Sequence, residues 1–102
     1  MATRLCALAE LSSEVPLRVE LDDLDVAVVK VGDEVFAIED VCSHADVPLS
    51  EGEVEDCTIE CALHGSRFDL RTGKPTGPPA NRPVPVFPTS VIDGDVYAEL
   101  AT

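Results

Sequence analysis

The chain has 102 residues, 45% of them hydrophobic, and a formal net charge of −13. That length is one domain, residues 1–102, and that apolar content fits a packed globule rather than a disordered chain. The acidity excludes nucleic acid and anionic membranes as partners, and no apolar run approaches the roughly 18 residues needed to span a bilayer.

The charge is unevenly placed. Residues 1–66 hold sixteen acidic and three basic side chains, whereas residues 67–102 hold four of each. A basic protein partner suits that field; the same acidity equally serves solubility. Abundant Val, eight prolines, no Trp and one Tyr favour short strands and turns over helices. The opening segment to Glu10 is too short in its apolar part, and meets acid too soon, for a secretory signal. A cytoplasmic location is therefore expected, where four cysteines serve as ligands or spectators rather than in disulfides.

In chain order, Leu8 to Leu11 is a helical turn or a loop. Leu17 to Leu21 alternates apolar and polar and reads as a strand. Asp22-Asp23-Leu24 is a turn. Val26 to Val31 and Val35 to Ile38 flank Gly32-Asp33-Glu34, the pattern of a hairpin. Pro48 and Gly52 mark a loop. Val54 to Cys61 then alternates as one strand, with Cys57, Ile59 and Cys61 on one face, so Cys57 reads as a small buried apolar residue. Ser66 to Leu70 is a short strand and Arg71 to Pro75 a turn. Residues 75–88 hold six prolines, a stiff segment that packs as a fixed wall over a loop site. Val84 to Phe87 and Val91-Ile92 form an edge-strand region. Asp93-Gly94-Asp95 turns into a last strand, Val96 to Leu100.

One stretch carries chemistry. Cys42-Ser43-His44 is followed by sixteen residues and then Cys61-Ala62-Leu63-His64, and these two histidines are the only ones in the chain. Two thiolates and two imidazoles at paired spacings form a four-ligand metal site. Structural zinc accepts such a set, although zinc fingers group like ligands together, whereas here each half mixes one Cys with one His. Chance is the second reading. The third is a [2Fe–2S] cluster in which two Cys hold one iron and two His the other.

The run Cys42-Ser43-His44 to Cys61-Ala62-Leu63-His64-Gly65-Ser66-Arg67-Phe68-Asp69 resembles the Rieske iron–sulfur motif. With the hairpin before it, the Asp-Leu-Arg-Thr-Gly-Lys-Pro turn after it and the proline-rich segment, nearly the whole chain resembles the small Rieske-type ferredoxins of bacterial ring-hydroxylating dioxygenases. The resemblance implies an all-β fold, an antiparallel sandwich of short strands. It also implies a cluster-binding subdomain over about residues 40–83, built of two loops and a proline-rich lid. Cys42 and Cys61 would bind the inner iron, and His44 and His64 the outer one. Two ferric ions, two sulfides and two thiolates then sum to zero charge. Reduction is correspondingly easy, within roughly −150 to +300 mV for this cluster type.

Respiratory members of that family carry a bracing disulfide and a Tyr at positions that are Val47, Leu63 and Phe68 here. Fewer hydrogen bonds to sulfur imply the low end of the range, with Ser66 still available as a donor. Gly65 either lets the backbone approach the cluster or simply turns the chain. Pro78 and Pro79 would shield a cluster face. Arg67 and Asp46 contact a partner or are solvated charges.

With both histidines on the cluster, none remains for a mononuclear iron, and no nucleotide-binding glycine fingerprint is present. The expectation is a monomeric, non-catalytic one-electron carrier. It would run from a flavin-dependent ferredoxin reductase to a terminal non-haem iron oxygenase. Alternatives are a small subunit of another redox enzyme such as nitrite reductase, a factor for iron–sulfur assembly or redox sensing, or a zinc-stabilised binding module.

Overall fold

A computed structural model describes residues 2–22, 24–42, 47–62, 65–77 and 82–100. The strands run β1 (Ala2–Ala7), β2 (Leu17–Glu20), β3 (Asp25–Val31), β4 (Glu34–Glu39) and β5 (Val54–Glu55). There follow β6 (Thr58–Glu60), β7 (Arg67–Asp69), β8 (Val86–Phe87), β9 (Thr89–Ile92) and β10 (Asp95–Glu99). Among the described residues helix is confined to two 3₁₀ turns, Leu8–Glu10 and Leu49–Glu51. Among the described residues no helix is long and apolar enough to cross a membrane.

Three antiparallel sheets result, in the orders β1-β10-β9, β2-β3-β4-β8 and β5-β6-β7. The middle layer explains the Val-rich run. Val26, Ala27, Val28 and Val29 are all fully buried, although successive strand residues point to opposite faces. β3 is therefore covered on both sides. Val26, Val28 and Ala37 pack with Leu5, Cys6, Leu11, Val96 and Ala98 from the first sheet. Ala27, Val29 and Ile38 pack with Leu49, Ile59, Phe68, Leu70 and Val84 on the other face. Each Val buried this way contributes about 1.5–3 kcal/mol. The two cores join the β1-β10-β9 sheet and the small β5-β6-β7 sheet through one shared strand pair.

The expected hairpin is β3-β4, turned at Gly32-Asp33 with Gly32 at φ +60°. The helical turn after Leu8 is the first 3₁₀ turn. Three features differ from the sequence reading. β1 is an extra strand. Its register slips between Arg4 and Cys6, so the neighbours Leu5 and Cys6 are both buried and no alternation marks it. The strand expected over Val54 to Cys61 is broken into β5 and β6 by a two-residue turn. Asp56 (φ +52°) and Cys57 (φ +59°) are both left-handed there, as tight hairpins require. Finally, the expected edge region is split between two sheets. β8 pairs with β4 and β9 with β10, the chain crossing over at Pro88.

Candidate metal centre

Cys42 and Cys61 end up in one buried cluster, 3% and 1% exposed, each just beyond the end of a strand. β4 delivers the first and β6 the second. The two loops close in the same way. The Cys42 N–H donates to the Val47 carbonyl at 2.9 Å, and the Cys61 N–H donates to the Ser66 carbonyl at 2.6 Å. Each cysteine thus opens a loop whose fifth following residue returns to it. In the second loop the Gly65 N–H also donates to the Cys61 carbonyl at 2.9 Å. Gly65 takes φ +76°, and a Cβ there would meet nothing nearer than Glu60 Oε2 at 4.0 Å. Its left-handed conformation by itself favours glycine.

His44 and His64 lie outside the described residues, as do Leu63, Asp46, Pro78, Pro79 and the turn residue Asp23. Among the described residues no group of three His, Cys, Asp or Glu side chains is placed to hold a metal ion. Cys42 and Cys61 are therefore the described half of the expected donor set. None of the four cysteines is in a disulfide. Cys6 belongs to the first core and Cys57 to the second. Burial pushes both of these thiols up, with Glu10 adding to the effect at Cys6. Thiols held protonated in that way are poor ligands and poor nucleophiles. Cys57 is buried as expected, but at a turn rather than on a strand face, and its carbonyl accepts from the Leu70 N–H at 3.0 Å.

Around the cysteines, Phe68 is fully buried and Val47 packs partly buried against the same cluster. Ser66 is buried at 1% exposure. Arg67 is ion-paired and keeps part of its side chain exposed. Its guanidinium donates to Thr58 Oγ1 at 3.2 Å and lies 3.4 Å from Glu60, across the β6-β7 pair. The proline-rich segment is pinned at both ends. The Thr76 N–H donates to the Arg67 carbonyl, the Val84 N–H to Gly73, and the Glu39 N–H to Pro85.

Sequence reasoning missed two residues that brace the loops. Asp40, two positions before Cys42, has a fully buried side chain that accepts two 2.6 Å hydrogen bonds from Ser50. Gly52 sits so close to Glu60 that a Cβ would lie 1.6 Å from the Glu60 carbonyl oxygen. No local signal marks either of them. Asp40 is one of twenty acidic residues, and Gly52 reads as an ordinary loop glycine.

The donor set fits an iron–sulfur cluster. Two buried cysteines outside any disulfide, at the mouths of matched loops, offer soft donors out of bulk water. Comparison with known proteins agrees. Residues 1–88 match the Rieske [2Fe-2S] domain family. The chain is 42% identical over 92 residues to the anthranilate 1,2-dioxygenase ferredoxin subunit of Burkholderia cepacia, covering 90% of this chain and 85% of that one. It superposes on the ferredoxin of carbazole 1,9a-dioxygenase from Nocardioides aromaticivorans IC177 with a TM-score of 0.91 and 37% identity, over 96% of both chains. A similar match, TM-score 0.90 and 36% identity over 95% of this chain and 91% of the other, comes from a complex of reduced oxygenase and oxidized ferredoxin in carbazole 1,9a-dioxygenase. The all-β architecture, the paired cysteine loops and these likenesses together place the chain in the Rieske [2Fe-2S] domain family.

Proposed function

We propose that this protein is a monomeric, cytoplasmic one-electron carrier. It accepts electrons from a flavin-dependent ferredoxin reductase and passes them to a terminal non-haem iron oxygenase. Its cofactor is a Rieske-type [2Fe–2S] cluster, as its family membership implies. Cys42 and Cys61 hold one iron, and His44 and His64 the other. The observation that carries the reading is the pair of buried, disulfide-free cysteines at matched loop mouths, in a chain whose relatives are ferredoxin components of dioxygenases.

When bound, the cluster supplies a one-electron couple at roughly −150 to +300 mV. The chain's own residues do the rest. The N–H groups of Cys42 and Cys61, each tied to a carbonyl five residues on, fix the direction in which both ligands leave the backbone. Ile59, Phe68, Leu70 and Val84 exclude water behind them. Both histidines of the chain are committed to the cluster, leaving none for a mononuclear iron, so catalysis falls to the acceptor. The chain acts as one domain over residues 1–102, with the cluster held by the part from about 40 to 83. Its net charge of −13 steers it toward basic faces on both partners.

The test is spectroscopic and then functional. The purified protein is expected to be red-brown and to give a Rieske-type EPR signal on reduction. It should be reduced by a flavin-dependent reductase at a rate that falls with ionic strength, and should support turnover of a ring-hydroxylating oxygenase. A colourless protein holding one zinc ion would overturn the reading.

A further inference from the structure

The two cysteine loops are joined by a bridge of polar and backbone contacts that the cluster reading does not by itself require. At one end stands Asp40. Its N–H donates to the Asp25 carbonyl at 2.8 Å, which fastens the end of β4 to the start of β3. Its carboxylate is fully buried. Oδ1 accepts from the Ser50 N–H and Oδ2 from the Ser50 hydroxyl, both at 2.6 Å. Arg18 lies 3.6 Å from Oδ2 and shares its charge with Asp25 at 2.7 Å. A buried carboxylate is costly unless each oxygen is satisfied, and these contacts satisfy both.

Ser50 sits in the 3₁₀ turn Leu49–Glu51, which closes with the Gly52 N–H donating to the Leu49 carbonyl at 2.9 Å. Gly52 then rests directly on the Glu60 carbonyl, and the Glu60 N–H donates to the Glu53 carbonyl at 2.8 Å. Glu60 precedes Cys61. A continuous path thus runs from Asp40, two residues before the first cysteine, through Ser50 and Gly52 to Glu60, one residue before the second.

On the reading that this chain holds a Rieske cluster, we propose that Asp40 is a positioning residue that sets the spacing of the two ligand loops. Asp40, as a buried anion, also sets with Arg18 the charge against which the chain takes up its electron. Ser50 is the geometric half of the device and Arg18 the electrostatic half.

The halves separate in cluster-loaded protein. Three variants, Asp40→Asn, Ser50→Ala and Arg18→Gln, are compared with the unmodified chain by reduction potential and by rate of iron release to a chelator. Ser50→Ala keeps the charge and cuts the bridge, so iron release should rise about tenfold, with little change in potential. Arg18→Gln should lower the potential with little change in release. Asp40→Asn removes a negative charge and an acceptor, so it should raise both. Wild-type potential and release in Asp40→Asn and Ser50→Ala, even with lowered thermal stability, would make the bridge a mere fold support and overturn the proposal. Loss of folding in Asp40→Asn leaves the decision to Ser50→Ala and Arg18→Gln. A Rieske EPR signal in the unmodified chain separates that failure from failure of the carrier reading, whose collapse would remove the bridge's role as well.

Discussion

The two cysteine loops share one closure and differ in everything that supports it. In both, the cysteine N–H returns to the carbonyl five residues on. The first loop leans on side chains, since the Asp40 carboxylate, the Ser50 hydroxyl and Arg18 hold its base from outside the ladder of β strands. The second leans on backbone. It is flanked by the paired strands β6 and β7, carries an extra bond from Gly65 to Cys61, and needs a left-handed glycine at φ +76°. The difference follows from what each loop leaves and enters. The first runs from β4, an inner strand of its sheet, to a 3₁₀ turn rather than to a paired strand, so side chains add to the few main-chain bonds that tie it down. The second connects two neighbours in a sheet, so main-chain hydrogen bonds suffice.

That contrast is open to direct attack. The largest effect is expected where the loops meet, at Gly52→Ala. The added Cβ collides with the Glu60 carbonyl, and neither backbone can yield without moving a cysteine loop. We expect a loss of about 3 kcal/mol in denaturant unfolding together with poor cluster incorporation. Gly65→Ala tests the second loop alone. The left-handed backbone disfavours a Cβ there, so a loss of about 1 kcal/mol is expected, less for Gly65→Asn. An effect of Gly65→Ala as large as that of Gly52→Ala would show that the loops do not divide as described.

Phe68→Tyr adds a hydroxyl on the strand that follows the second loop. If it reaches the sulfur of Cys42 or Cys61, the reduction potential should rise by about 40 mV. That is a net hydrogen bond of about 1 kcal/mol converted for one electron. An unchanged potential would show that residue 68 does not set it. Cys57→Ser, in the turn that leads into β6, should keep the iron–sulfur absorbance and cost less than about 2 kcal/mol.

The smallest effect lies outside both loops. The Cys6 thiol is pushed up by burial, so above the ordinary thiol range of ~8.5 the unfolded chain loses its proton first. This contribution to stability is complete below that range and is lost as pH rises through the folded value. The melting temperature should therefore fall more steeply on going to alkaline pH in the natural chain than in Cys6→Ala.

The family motif and most of the strands were legible in the sequence because their signals are local. Cys42-Ser43-His44 and Cys61-Ala62-Leu63-His64 show their spacing directly, and Gly32-Asp33 between apolar runs shows a hairpin. β1 was not legible because its slipped register buries the neighbours Leu5 and Cys6 and erases the alternation that marks a strand. The turn at Asp56-Cys57 was not, because a cysteine in a left-handed turn runs against the usual turn residues, and Cys57, Ile59 and Cys61 still alternate through it.

By itself the sequence offered the candidate chemistry: two cysteines and two histidines spaced as candidate ligands, in a strongly acidic chain. Only the tertiary structure decided how the loops that carry those ligands are held relative to one another. Asp40 and Ser50 are ten residues apart, and Gly52 and Glu60 eight, with nothing in either pair to mark a contact. Such contacts come from the packing of a 3₁₀ turn against a strand end, a matter of three-dimensional distance that residue spacing along the chain does not encode.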